Sequence, residues 1–233
     1  MFLSAWAGIA LFPLASRLYV TSRREYEALY HHALNVSILI GLPAAAGLAL
    51  IAPKLIALVF GEDFAASSSI LRLLAGVLFL TYLRSILNPF LISCDRQADI
   101  TKSQWIAALV NVVGNLVLIP TFGIKGAAAA TLISETLLVL LLMVRLRGVL
   151  GWPRVGLRLT MSGVATASFC LPFAFFPSLS PGVVIPASIL VYSGTLVLFK
   201  EIRRNEVRTL VTLLQGDSGK LATRGEAIFS ERS

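Results

Sequence analysis

Long apolar runs separated by short polar turns constrain this chain more than anything else in it. About 20 apolar residues at ~1.5 Å per residue cross the ~30 Å hydrocarbon core of a bilayer. Residues 33–52, 67–93, 103–119, 127–144, 159–176 and 183–199 are runs of this kind, and 1–16 is a shorter one. A chain of 233 residues that is 57% hydrophobic and 14% charged, with mean hydropathy +0.83, has too little polar surface for a soluble domain. The fold class these runs predict is an all-α polytopic membrane protein of about seven transmembrane helices. Run 1–16 has no positive flank of the kind that opens a secretory signal, and it reads as the tail of a helix whose start is missing.

The charges give the crossings a direction. The net charge is +8, and 16 of the 20 lysines and arginines fall in alternate connections: 17–32, 94–102, 145–158 and the tail after 199. The intervening connections hold only Lys54 and Lys125, and Arg72 and Arg84 lie inside a run. Excess Lys/Arg marks the cytoplasmic side, so the expected topology puts the amino end outside and the tail in the cytoplasm. That distribution also accounts for the positive charge without nucleic acid, and no nucleic-acid partner is expected.

Several local features refine the segmentation. Residues 17–32 are basic and aromatic; they read as a solvated loop in which Tyr19, Tyr26 and Tyr30 suit a membrane interface. His31 and His32 are adjacent and on a helix would point about 100° apart, a poor geometry for one metal. Pro43 interrupts a span and frees a carbonyl that a neighbour must satisfy. Residues 54–60 read as a separate short interfacial helix beginning near Pro53, and Ser67 or Ser68 as the cap of the next span. The small residues 126–130 invite close approach of another helix. Cys94 and Cys170 fit no disulfide or metal spacing. The tail is polar, with one amphipathic piece at 207–214.

Polar side chains within the spans carry whatever function there is. Thr81, Arg84 and Asn88 are spaced to share one helical face. Gln104, Ala108, Asn111 and Asn115 form a polar-to-small stripe on the next span, and Thr131 and Glu135 pair on the one after. Arg84 lies well inside its span, where a charge must face protein or water. One reading lines a hydrated cavity with these faces, Arg84 attracting an anion and Glu135 supplying a counter-charge or transferable proton. The other has them bonding helix to helix, and for the asparagines it is the favoured one. Arg72 lies near an end and can snorkel. No nucleophile elbow, phosphate-binding glycine loop or metal spacing occurs, so no enzyme, metal or cofactor is expected.

Four stretches in order carry a family resemblance: LFPLASRLY at 11–19, LVFGEDF at 58–64, SCDRQ at 93–97 and IPTFGIKGAA at 119–128. The chain resembles the carboxy-terminal half of the polysaccharide (O-antigen and exopolysaccharide) flippases of the multidrug/oligosaccharidyl-lipid/polysaccharide exporter superfamily. The resemblance implies that 1–150 is the C-terminal bundle of a two-bundle transporter, 151–200 two additional spans and 201–233 a cytoplasmic tail. It further implies a lipid-linked pyrophosphate oligosaccharide as substrate, alternating access in the cytoplasmic membrane, and Arg84 as the candidate contact for the pyrophosphate. The amino-terminal bundle that completes the cavity is missing, so this chain is expected to be a fragment or one of two subunits. A cation-coupled drug exporter is the alternative within the superfamily; it is disfavoured because Glu135 is the only acid well inside a span. A nontransporting subunit of a glycan-assembly complex is the alternative outside it.

Overall fold

The computed structural model describes residues 2–151, 156–175 and 181–198. Among the described residues seven α-helices follow one another: α1 (Phe2–Thr21), α2 (Arg23–Phe60), α3 (Ser67–Ser93), α4 (Gln97–Phe122), α5 (Ile124–Leu150), α6 (Gly156–Phe175) and α7 (Pro181–Leu198). A single 3₁₀ turn, Glu62–Phe64, links α2 to α3. Helices α2 to α5 are each long and apolar enough to cross a membrane. The expected all-α architecture of about seven helices is therefore what the chain adopts. By internal packing it divides into Met1–Thr195, described here, and Leu196–Ser233, which carries the last turn of α7. Arg154, most of the turn before α7, and the polar tail with its amphipathic piece lie outside the described residues.

The structure corrects the expected boundaries. The solvated loop at 17–32 does not exist: α1 runs to Thr21, and α2 starts at Arg23 and continues unbroken through Pro43 and Pro53 to Phe60. Residues 54–60 are thus the last turns of α2, not a separate helix. Ser22 is the reason α2 starts early. Its extended backbone and its Oγ, which accepts the Glu25 N–H, form an N-cap, and Arg23 pairs with Glu27 one turn on. Neither Ser67 nor Ser68 caps α3; Ser68 and Ser69 instead donate back to the carbonyls of Ala65 and Ala66.

Tyr26 and Tyr30 are also displaced from their expected place. Both are fully buried between α2 and α3, not spread along a lipid interface. Their rings meet Phe90 at centroid distances of 5.3 and 5.2 Å. The Tyr26 hydroxyl donates to the Phe90 carbonyl (2.9 Å) and lies against Ser93 Oγ and Cys94 Sγ. Phe90 is in the last turn of α3, where carbonyls have no helical N–H partner, so the tyrosine and Ser93 Oγ both donate to it.

Two other close approaches set the bundle. Pro43 has no N–H to give the Leu39 carbonyl four residues back, and Tyr192 of α7 donates its hydroxyl to that oxygen. The satisfied-carbonyl expectation for Pro43 is met from a helix far away in sequence. Between α4 and α5, a Cβ on Gly126 would run into the Leu118 carbonyl, and one on Gly114 would lie 3.1 Å from Ala130. The small residues at 126–130 therefore do bring α4 and α5 together. Gly123 makes the turn between them possible, with φ of 59° and ψ of −138°, backbone that a side chain rarely tolerates.

Candidate functional site

The packing of α3 on α5 brings Arg84 and Glu135 together. Arg84 Nε lies 3.7 Å from Glu135 Oε2, an ion pair longer than a hydrogen bond. The two side chains are 31% and 22% exposed, so the pair is neither dry nor freely solvated. Glu135 Oε2 is itself buried and accepts no hydrogen bond among the described residues. The guanidinium has no second partner there either. Pairing lowers the cost of carrying each charge inside a span.

The asparagines do something different. Asn111 Nδ2 donates to Ser134 Oγ on α5 (3.1 Å), and Asn115 Nδ2 donates to Asn111 Oδ1 (3.0 Å). Ser134 Oγ in turn donates to the Thr131 carbonyl (3.0 Å). This ladder stitches α4 to α5, as polar residues between spans often do. Gln104 and Ala108, the other members of the α4 stripe, are exposed. Thr81 and Thr131 spend their hydroxyls on their own helices, at the carbonyls of Val77 and Ala127. Asn88 Oδ1 is buried, with no partner among the described residues, as is Asn115 Oδ1.

So the structure joins Arg84 to Glu135 and Asn111 to Asn115, and among the described residues no hydrogen bond or ion pair links the two groups or ties either to Thr81 or Asn88. A shallow open groove of about 340 Å³ runs beside Val112, Asn115, Leu116, Ile119 and Pro120; of the six candidate residues only Asn115 lines it. Arg72 is exposed near the start of α3. Sequence reasoning passed over Ser134, whose signal was its place beside Glu135 and one turn after Thr131. Arg96, counted from sequence only among the basic residues of the 94–102 connection, has a structural role as well. Arg96 and Arg145 both lie 3.7 Å from the Asp99 carboxylate, and Arg96 Nη1 donates to the Arg145 carbonyl (3.0 Å). That cluster fastens the start of α4 to the end of α5 at the arginine-rich end of the helices.

Several apolar helices of crossing length, with an ion pair held between two of them, define a multi-span helical membrane protein. The particular kind follows from comparison with known proteins. The family model described as "Lipid II flippase MurJ" matches residues 3–193, and the chain belongs to that family, one of transporters and not enzymes. A solved structure of lipid II flippase MurJ in an inward closed conformation superimposes with a TM-score of 0.67 at 16% identity, over 85% of this chain and 42% of that one; at such identity the likeness concerns the fold. The probable low-salt glycan biosynthesis flippase Agl15 of Haloferax volcanii is 29% identical over 112 residues, 48% of this chain and 24% of its own. The uncharacterized membrane protein MJ1068 of Methanocaldococcus jannaschii is 32% identical over 128 residues, 53% of this chain and 25% of its own. The chain spans about a quarter of the length of these relatives. The sequence-level resemblance thus holds as a likeness to flippases of lipid-linked glycans.

Proposed function

We propose that this chain is part of a membrane transporter that flips lipid-linked oligosaccharide or polysaccharide precursors across the cytoplasmic membrane by alternating access. Its helices form the carboxy-terminal bundle, and an amino-terminal bundle, in the same full-length protein or a separate chain, supplies the other wall of the cavity. Membership of a lipid II flippase family and likeness to a glycan flippase support the substrate class; an O-antigen or exopolysaccharide precursor is the cargo the sequence motifs favour. The tail lies in the cytoplasm.

The observation that carries the site is the part-exposed ion pair of Arg84 and Glu135 between two spans. A guanidinium there offers a pyrophosphate the fork geometry and charge it needs once hydration is lost. Thr81, Asn88, Asn111 and Asn115 are the surrounding candidates, and Asn88 Oδ1 and Asn115 Oδ1 are buried acceptors without a donor among the described residues. The test is glycan export in cells whose transporter is assembled from this chain and its complementary bundle. Arg84→Ala should reduce export by at least about tenfold, the scale of one lost charge-assisted contact, and Arg84→Lys should recover only part of it. Full export by both variants at equal membrane abundance would remove Arg84 from the cavity.

A further inference from the structure

We infer that Glu135 is a specificity-determining residue: by neutralising Arg84 it makes the site accept a phosphate whose terminal oxygen is esterified and disfavour a bare phosphate terminus. This rests on the reading that Arg84 meets the phosphate of a lipid-linked substrate.

Glu135 approaches Arg84 from the Nε side, at 3.7 Å, and no other group among the described residues meets the guanidinium. The Nη1/Nη2 edge is therefore the part left to grip two oxygens of one phosphoryl group in parallel. Glu135 Oε2 is buried without a hydrogen bond, so Arg84 is its only partner among the described residues. Taken together, the two side chains carry no net charge.

Electrostatics then separates two classes of ligand. A phosphoryl group bearing a glycan, or any ester, carries one negative charge. The fork returns two hydrogen bonds for the loss of that charge's hydration. A terminal phosphomonoester carries nearly two charges above its second pKa of about 6. Removing a second charge from water costs more than removing the first, because desolvation grows steeply with charge. A lone arginine would return much of that cost as attraction. An arginine already paired with a carboxylate returns little, because the acid repels what the guanidinium attracts. The consequence is discrimination between a carrier lipid loaded with its glycan and the same lipid after the glycan has been removed.

The test uses the purified transporter, this chain assembled with its complementary bundle, in nanodiscs of uncharged phospholipid at pH 8, with two probes. One is farnesyl pyrophosphate; the other is the same molecule methyl-esterified at its terminal phosphate, so that no sugar contact enters. The wild-type chain is expected to bind the ester more tightly. Glu135→Gln should shift the preference toward the bare pyrophosphate by about fivefold, the scale of a part-exposed charge pair. Glu135→Asp, which keeps the charge, should hold the wild-type ratio. Glu135→Met removes the charge without asking for a hydrogen bond, and the same shift is expected of it should the glutamine variant fail to fold. An unchanged ratio in the charge-removing variants overturns the inference while leaving Arg84 as a phosphate contact. Wild-type binding of both probes by Arg84→Ala, or binding of neither probe by the wild type, overturns the reading beneath it as well.

Discussion

At the scale of single residues, the polar groups that matter are those whose partner is a backbone atom that its own helix leaves without an N–H donor. Tyr26 shows how much of its contribution is ring and how much is hydroxyl. The Phe90 carbonyl receives a second hydrogen bond from Ser93 Oγ (2.9 Å), so removing the tyrosine hydroxyl does not orphan it. Tyr26→Phe should therefore cost only about 1 kcal/mol, the usual net value of one hydrogen bond. Tyr26→Ala loses the packing against Phe90 and Tyr19 as well and should cost about 3–5 kcal/mol. Unfolding midpoints in detergent separate the two, and equal losses would place the whole effect on the hydroxyl. The burial of this residue was not legible from its neighbours. An aromatic among Arg23, Arg24 and Glu25 looks like an interfacial anchor, and only the arrival of α3 alongside turns that face inward. The pairing of Arg84 with Glu135 was legible only as one possibility, with Glu135 as a counter-charge or a transferable proton. Both residues were identifiable as charges that needed company, but that each is the other's company depends on which helices are neighbours.

At the scale of helices, run length and hydropathy made every span legible, and capping chemistry decided the ends. Ser22-Arg23-Arg24-Glu25 is a serine followed three residues later by a glutamate, a capping-box signature that would have started α2 at the right place had it outweighed the polarity of residues 23–32. Gly61, Gly123 and Gly151, all at positive φ, close α2, α4 and α5. What no local signal carried is the support of α2 by α7. Pro43 leaves the Leu39 carbonyl without its helical donor, Tyr192 supplies one, and Phe169 of α6 packs edge-on to Tyr192 and against Gly47. A double-mutant cycle tests this assignment. Tyr192→Phe should destabilise the wild-type chain by about 1–2 kcal/mol, since a carbonyl is left unsatisfied in an apolar setting. In a Pro43→Ala background the restored N–H bonds the Leu39 carbonyl from within α2, and Tyr192→Phe should then cost close to nothing. Equal costs in the two backgrounds would mean that the tyrosine acts through its ring packing alone.

At the scale of the whole molecule, the direction of the helices and the placement of charge make one joint prediction. Helix α4 spans 26 residues, about 39 Å at ~1.5 Å per residue, more than a hydrocarbon core requires. Lys102 is exposed in its early turns, and Lys125 is exposed just past its end, at the start of α5. The Arg96–Asp99–Arg145 cluster is at the Lys102 end, and Tyr26 joins the starts of α2 and α4 to the same side through the end of α3. Arginine crosses a membrane poorly during insertion, so the end holding Arg23, Arg24, Arg96, Arg145 and Arg147 is expected to stay in the cytoplasm. With Cys94 and Cys170 replaced by serine and alanine, a cysteine at position 125 should react with an impermeant maleimide in intact cells. A cysteine at position 102 should react only after the cytoplasmic membrane is opened. The reverse pattern would invert the orientation and move the proposed tail to the outside. Labelling of both positions from one side would be the deeper failure, because it would mean that α4 does not cross. The exposed apolar row along α4, from Trp105 through Leu109 and Leu116 to Phe122, would then need a cover other than acyl chains or a companion bundle.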